Sequence, residues 1–219
     1  DIIEKSNKIH HRNHAIKIQD SKIKYSIKLN QEILNCETIT NVLKHYEANR
    51  SQYSPINLST VAVYITKSGI KHHIPEHENI IKRIFDECEL RSSKFNSKCL
   101  AGILLALSKT KLLQQEQHRN IFYKFEKHVV RNCHRCSSQE LSNIVLAYAT
   151  AGISSPVVFE AVEKQIPLKI HEFKAQGLAN TAWAYTRAGI HSTIVFKAIE
   201  NQIPLMIVGF NAQNITNTI

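Results

Sequence analysis

Residues 141–177, LSNIVLAYATAGISSPVVFEAVEKQIPLKIHEFKAQG, align with residues 178–214, LANTAWAYTRAGIHSTIVFKAIENQIPLMIVGFNAQN, without a gap, and 20 of the 37 positions are identical. Self-similarity at a fixed period marks an array of one supersecondary unit. The first half of each copy carries Leu141/Leu178, Asn143/Asn180, Ala147/Ala184 and Tyr148/Tyr185 and closes on Gly152 or Gly189. Glycine takes the positive φ that ends a helix, so this half reads as a helix A, over about residues 175–188 in the clearest copy. The second half has apolar residues at i, i+1, i+4 and i+8: Val158, Phe159, Val162 and Ile166, then Val195, Phe196, Ile199 and Ile203. That spacing is one face of a helix B. It begins at Ser155-Pro156, a cap followed by proline at the first helical position, and is expected to end before Pro167.

Toward the N-terminus the same spacings persist in weaker form. Residues 58 to 69 and 100 to 111 keep the interval that separates Leu141 from Gly152. Ile80, Ile81, Ile84 and Cys88 repeat the helix B quartet, as do Ile121, Phe122, Phe125 and Val129, and Thr38, Ile39, Val42 and Tyr46 supply an initial one. Fifteen residues beyond the first member of each quartet stands an anchor: Tyr53, Phe95, Cys136, Phe173 and Phe210 in turn. Extra residues of the early units, around 71–78 and 112–120, fall between the two halves, where a turn accepts insertion. The expected fold is all-α: an α-solenoid of stacked two-helix repeats of about 37 to 42 residues over 31–219, with one helix B, four AB pairs and, from Ile215, the start of a fifth helix A. A stack of repeats needs a polar terminal cap, so the stop in mid-repeat at Ile219 implies that the native protein continues or that this end docks on a partner.

Composition excludes several classes. With 6 Gly and 5 Pro in 219 residues the chain is neither collagen-like nor a linker, and no apolar run approaches the roughly 20 residues that span a bilayer. Five cysteines, an odd number, do not form a secreted disulfide framework and point to a reducing compartment. The chain starts at Asp1 with no apolar leader, as a processed product or a fragment does. Lys and Arg number 28 against 18 Asp and Glu, and the +10 surplus favours a polyanionic partner. The surplus lies wholly in residues 1–136, with 23 cations and 13 anions, whereas residues 137–219 hold 5 of each. Its densest part, residues 1–30, is expected to be an extended basic arm, because Ile16, Ile18, Ile23, Tyr25, Ile27 and Leu29 partly alternate and no helical face is evident. Such an arm is either a solvated tail or a nucleic-acid contact.

The string FKAQGLANTAWAYTRAG at 173–189 resembles the helix A signature of octotricopeptide and heptatricopeptide repeat proteins, related to the repeat arrays of FAST-kinase-domain and RAP-domain proteins. Leu141-Ser-Asn143 and Ala147-Tyr-Ala-Thr-Ala-Gly152 resemble it too. The resemblance spans residues 53–219; it is strong from Cys136 onward and degenerate before, where Gly102 replaces the Asn and Lys111 the closing Gly. It implies an organellar RNA-binding protein, of a mitochondrion or alternatively a plastid, acting in RNA processing, stability or translation or in a mitochondrial ribosome.

Side chains in one slot of successive repeats make columns along such an array. The slot of Arg187 holds Lys67, Lys109 and Thr150 in the other units, and Gln176, Asn180, Trp183 and Arg187 lie at i, i+4, i+7 and i+11, on one stripe of helix A. Lys67, Lys109 and Arg187 are candidate phosphate contacts, and Gln139, Gln176 and Gln213 candidate base-edge contacts, for single-stranded RNA. Lys98 and the arm residues Lys5, Lys8, Arg12 and Lys17 complete the RNA-contact set. A solvated polar edge is the competing account of the column. Asn143, Asn180 and Asn217 are expected to bond backbone between repeats, and Trp183, whose slot holds Val63, Leu105 and Leu146, to pack in the core. Cys133 and Cys136 share slots with Ile170, Ile207 and the anchor phenylalanines, so they read as buried thiols rather than half of a zinc site. His72, His73 and His77 read as surface-loop residues.

No Walker loop, GxGxxG, HExxH or GxSxG occurs, and Glu163 and Glu200 match because the scaffold repeats. The expectation is a non-enzyme without cofactor, metal, small-molecule substrate or membrane insertion. Three readings remain: an RNA factor acting on transcripts in trans, a structural subunit of a large ribonucleoprotein such as a mitochondrial ribosome, bound to rRNA and to other proteins of the complex, or a protein-binding scaffold.

Overall fold

The computed structural model describes residues 2–67, 75–110, 116–206, 209, 211, 213 and 216; the side chains of residues 2–15, 75, 76 and 116–118 lie outside the description. Among these residues there is no strand. The helices are α1 Ile2–Leu34, α2 Ile39–Asn49, α3 Pro55–Lys67, α4 Pro75–Leu90, α5 Ser97–Ser108, α6 Glu116–Asn132, α7 Ser138–Thr150, α8 Pro156–Glu163, α9 Ile166–Lys169, α10 Ala175–Ala188 and α11 Thr193–Met206. The start of a further helix at Ile215, with Asn217, falls outside the described residues.

The chain reaches α3, α5, α7 and α10 by the same route. A 3-10 turn (Arg50–Gln52, Ser92–Lys94, Cys133–Arg135, Ile170–Glu172) is followed by a single extended residue, Tyr53, Phe95, Cys136 or Phe173, with φ between −66 and −82° and ψ between 128 and 139°. These four anchors are buried. Side-chain caps then open α3, α5 and α7, whereas Lys174 makes no cap bond at the start of α10. Asn96 accepts from Cys99 N at 2.9 Å, and Ser137 and Glu140 form a reciprocal capping box on α7. Two of these helices end alike. Gly152 and Gly189 both sit at φ 67°, with Ile153 N bonded to Tyr148 O at 2.9 Å and Ile190 N to Tyr185 O at 3.0 Å, the Schellman pattern that a closing glycine permits.

Packing follows the same order. α3 lies against α1 on one side and α5 on the other, α5 against α7, and α7 against α10. The remaining helices form a second series, α2 with α4, α4 with α6, α6 with α8, and α11 with α9 and α10. Between the series lies the apolar core, and two tyrosines tie across it in the same manner. Tyr148 donates to the Phe122 carbonyl at 2.9 Å and Tyr185 to the Phe159 carbonyl at 2.8 Å. In both cases the partner ring stands edge-on, at 5.0 and 4.9 Å between centroids.

Residues 2–30 are not an extended arm: they belong to α1, which runs unbroken through the expected boundary at residue 30. No glycine or proline interrupts residues 2–34, so nothing in the backbone opposes a helix. Its packing face is short and lies at the end. Ser26, Leu29, Asn30 and Ile33 recur at i, i+3, i+4 and i+7, and of these Leu29 and Ile33 are fully buried. Ser26 bonds Ser54 at 2.7 Å and Asn57 at 3.0 Å, and Asn30 accepts from Thr60 at 2.6 Å, so α1 runs parallel to α3. His45 of α2 ties the junction, bonding Glu32 at 3.0 Å and Tyr53 at 2.5 Å; the bond from His45 holds the Glu32 carboxyl below its usual pKa.

The expected bounds of helix B hold in its clearest copy, while one further expectation, for His77, needs correction. The helix that begins at Pro156 stops before Pro167, but the chain re-enters a helix at once, with Pro167 in the first turn of α9. In the next copy α11 runs on through Pro204, which stands in its last turns. His77 belongs to α4 and bonds Thr40 of α2 at 3.3 Å, so it is not a loop residue; His72 and His73 lie outside the described residues.

Candidate nucleic-acid interface

Each of α3, α5, α7 and α10 buries most of its circumference between neighbours and leaves one stripe to solvent. The stripe has the same profile in all four, with exposed ends and two half-buried residues between them: Ile56, Thr60, Val63 and Lys67; Lys98, Gly102, Leu105 and Lys109; Gln139, Asn143, Leu146 and Thr150; Gln176, Asn180, Trp183 and Arg187. Helix periodicity sets the spacing and the parallel packing aligns the slots. The result is a face of four columns: polar at the N-terminal ends of these helices except at Ile56, then small or amide-bearing, then apolar, then cationic except at Thr150.

Most predicted contact residues lie on this face, but at opposite ends of it. Lys98, Gln139 and Gln176 are exposed in the first turns of α5, α7 and α10. Lys67 and Arg187 are exposed in the last turns of α3 and α10, and Lys109 follows α5. Eleven residues of α-helix separate Gln176 from Arg187, about 16 Å along the axis. A cation in the last turn also answers the partial negative charge of the helix C-terminus, which is a structural reason for the basic column. Gln213 is exposed beyond α11, and Lys17 is exposed on α1. Lys5, Lys8 and Arg12 are on α1, with side chains outside the described residues.

The amide column does not do what the repeat suggested. Asn143 and Asn180 are half-buried, and neither side chain makes a hydrogen bond among the described residues. Serines make the bonds between neighbouring units: Ser138 to the Glu172 carbonyl at 3.0 Å, Ser142 to the Gly177 carbonyl at 3.1 Å, and Ser59 to the Cys99 carbonyl at 3.5 Å. Both asparagine amides therefore have no protein partner among the described residues, and they are flanked by Gln139 and Gln176 on one side and Leu146 and Trp183 on the other. Trp183 packs against the core while remaining half-buried, so part of its ring belongs to the face.

Sequence reasoning missed that the face extends onto α1. Asn30 meets Thr60 of the second column, and Ile27, Gln31 and Leu34, at i, i+4 and i+7 on α1, are all exposed, Leu34 at 61%. The i, i+4, i+7 spacing of these residues was the available signal. It was hidden because α1 carries neither the anchor nor the closing glycine of the other units.

Cys133 and Cys136 are buried, and the hydrogen bond between them pushes the Cys133 thiol up and draws that of Cys136 down. No group of three or more His, Cys, Asp or Glu among the described residues could hold a metal ion. None of the described helices is long and apolar enough to cross a membrane. The chain matches no protein-family model and no curated protein sequence.

Proposed function

We propose that this chain is an α-solenoid of two-helix repeats, similar to the octotricopeptide and heptatricopeptide proteins, and that it binds single-stranded RNA in an organelle, most simply a mitochondrion. The observation that carries the reading is the four-column face, in which unpaired amides at Asn143 and Asn180 stand between polar and apolar columns at equal spacing. Amides offer a donor and an acceptor to a base edge, an apolar or aromatic neighbour offers a stacking surface, and the net charge of +10 supplies attraction to phosphate. The chemistry is binding, not catalysis, and needs no cofactor.

A protein-scaffold reading draws on a different observation. Ile16, Ile23, Ile27 and Leu34 form an exposed apolar stripe on α1, between 50 and 61% exposed, a surface better suited to another protein than to RNA. The two readings coexist in a subunit of a ribonucleoprotein, with the apolar stripe of α1, Ile27 and Leu34 included, on protein and the columns of α3, α5, α7 and α10 on RNA. Sedimentation of the organellar extract at low salt, followed by sequencing of crosslinked RNA, tests them together. Co-migration with ribosomal particles and crosslinks to rRNA are expected for a ribosomal subunit, whereas light fractions with crosslinks to a few mRNAs identify a factor acting in trans. Absence of crosslinked RNA would overturn the RNA reading and leave the scaffold.

A further inference from the structure

Apart from Lys98, which heads the α5 stripe, the cations at the entry to α3, α5, α7 and α10 have no part in the columns above. Counting from the anchors, Lys94 and Arg135 stand one residue before, Lys174 one after, Lys98 three after, Arg91 four before and Arg50 three before. Because these helices pack side by side and in parallel, the turns line a single edge. Side-chain bonds stitch that edge together. Lys169 donates to the carbonyls of His134 and Cys136, Ser138 to that of Glu172, and Ser92 meets His128 at 3.4 Å.

Arg50, Lys94, Lys98, Arg135 and Lys174 are exposed and Arg91 is half-buried, and none of the six is in an ion pair among the described residues. Among the nearest carboxylates in sequence, Glu140 is held by the Ser137 N–H in the capping box, Glu47 pairs with Arg83, and Glu89 pairs with Lys124. Glu172, exposed in the slot of Lys94 and Arg135, and Glu87, four residues before Arg91, are the carboxylates left near this edge, and neither is in an ion pair with the six among the described residues. The N-terminal ends of the parallel helices add positive partial charge to the same edge. The last turns that hold Lys67 and Arg187 lie at the opposite, negative ends.

We propose that the phosphate backbone of the bound RNA follows this turn edge, along Arg50, Arg91, Lys94, Lys98, Arg135 and Lys174, and that Lys67, Lys109 and Arg187 are not phosphate contacts. The inference rests on the RNA reading and fixes the orientation of the strand. Phosphates run along the edge, and bases point across the first-turn glutamines toward Asn143 and Asn180. Lys98, Gln139 and Gln176 then stand between backbone and bases, which explains why one slot holds a cation in one unit and amides in two others.

The test is the salt dependence of binding to a fluorescein-labelled, random-sequence 20-nucleotide single-stranded RNA, followed by anisotropy between 50 and 200 mM salt. For single strands each phosphate contact contributes about 0.7 to the slope of log K against log salt. The variant K94A/K98A/R135A/K174A removes four, lowering the slope by about 2.8, so wild-type affinity should fall about 50-fold more than the variant's over that range. The variant K67A/K109A/R187A should keep the wild-type slope. All seven side chains are exposed, so both variants should keep the wild-type circular dichroism, and the triple variant should melt slightly lower for want of its helix C-terminal cations.

An unchanged slope in the quadruple variant, or a slope lost in the triple variant, overturns the assignment and leaves the RNA reading standing. Failure of the wild type to bind at 50 mM salt overturns both. Equal affinity of the wild type for a labelled 20-residue polyglutamate would overturn the assignment by making the edge a dock for acidic protein.

Discussion

Tyr148 and Tyr185 offer a direct measure of how the two series of helices are held. Each hydroxyl is fully buried and donates to a carbonyl across the core, at 2.9 Å on Phe122 and 2.8 Å on Phe159. Replacing Tyr185 by Phe removes the hydroxyl and keeps the ring, so the edge-on contact with Phe159 survives. Within α8 the Phe159 carbonyl retains its helical partner and is not orphaned. The loss is therefore one net hydrogen bond, about 1 kcal/mol. The same holds for Tyr148→Phe, and the two sites share no partner, so Y148F/Y185F should lose about 2 kcal/mol. In a chain of this size that corresponds to a fall in Tm of about 4–8 °C, half of it in each single variant. Thermal unfolding followed by circular dichroism at pH 7 reads it, with the wild type and both single variants alongside. A fall of less than about 1 °C in the double variant would show that these hydroxyls carry no bond across the core.

Two further outcomes follow from other buried groups. Asn57 is fully buried, accepts from Ser54 N at 3.0 Å and Ser26 Oγ at 3.0 Å, and donates to the Ser26 carbonyl at 2.9 Å; Asn57→Ala should cost about 1–3 kcal/mol and raise hydrogen exchange in the second half of α1 before that in α7, and uniform exchange would refute the local anchoring. Burial holds the hydroxyls of Tyr46, Tyr53, Tyr148 and Tyr185 protonated well above their ordinary pKa, so the stability they contribute is complete below about pH 10 and declines as pH rises further, by up to about 1.4 kcal/mol per pH unit for each tyrosine. Y148F/Y185F should show a correspondingly shallower alkaline decline, and an equal one would refute the linkage.

The repeat made the helices, their order and their anchors legible because each depends on local chemistry. Gly152 and Gly189 end helices in the left-handed region, Ser155-Pro156 opens one, and the apolar quartets fix which face is buried. Column reasoning placed Gln139 and Gln176 in one slot, and in the structure Lys98 shares that slot at the start of its helix. What stayed illegible depends on partners distant in sequence. Asn143 and Asn180 recur as a structural asparagine would, yet Ser142, a residue the repeat does not keep, bonds the next unit instead. The helical state of α1 rests on two turns of contact with α3, too short to outweigh the alternation of its isoleucines in a one-dimensional reading. The same contact gives α1 its place on the face. Once Ser26 meets Ser54 and Asn57, and Asn30 meets Thr60, helix periodicity leaves Ile27, Gln31 and Leu34 exposed on α1. The exposed face thus begins one helix earlier than the repeat does, in a segment whose sequence carries the spacing but neither the anchor nor the closing glycine.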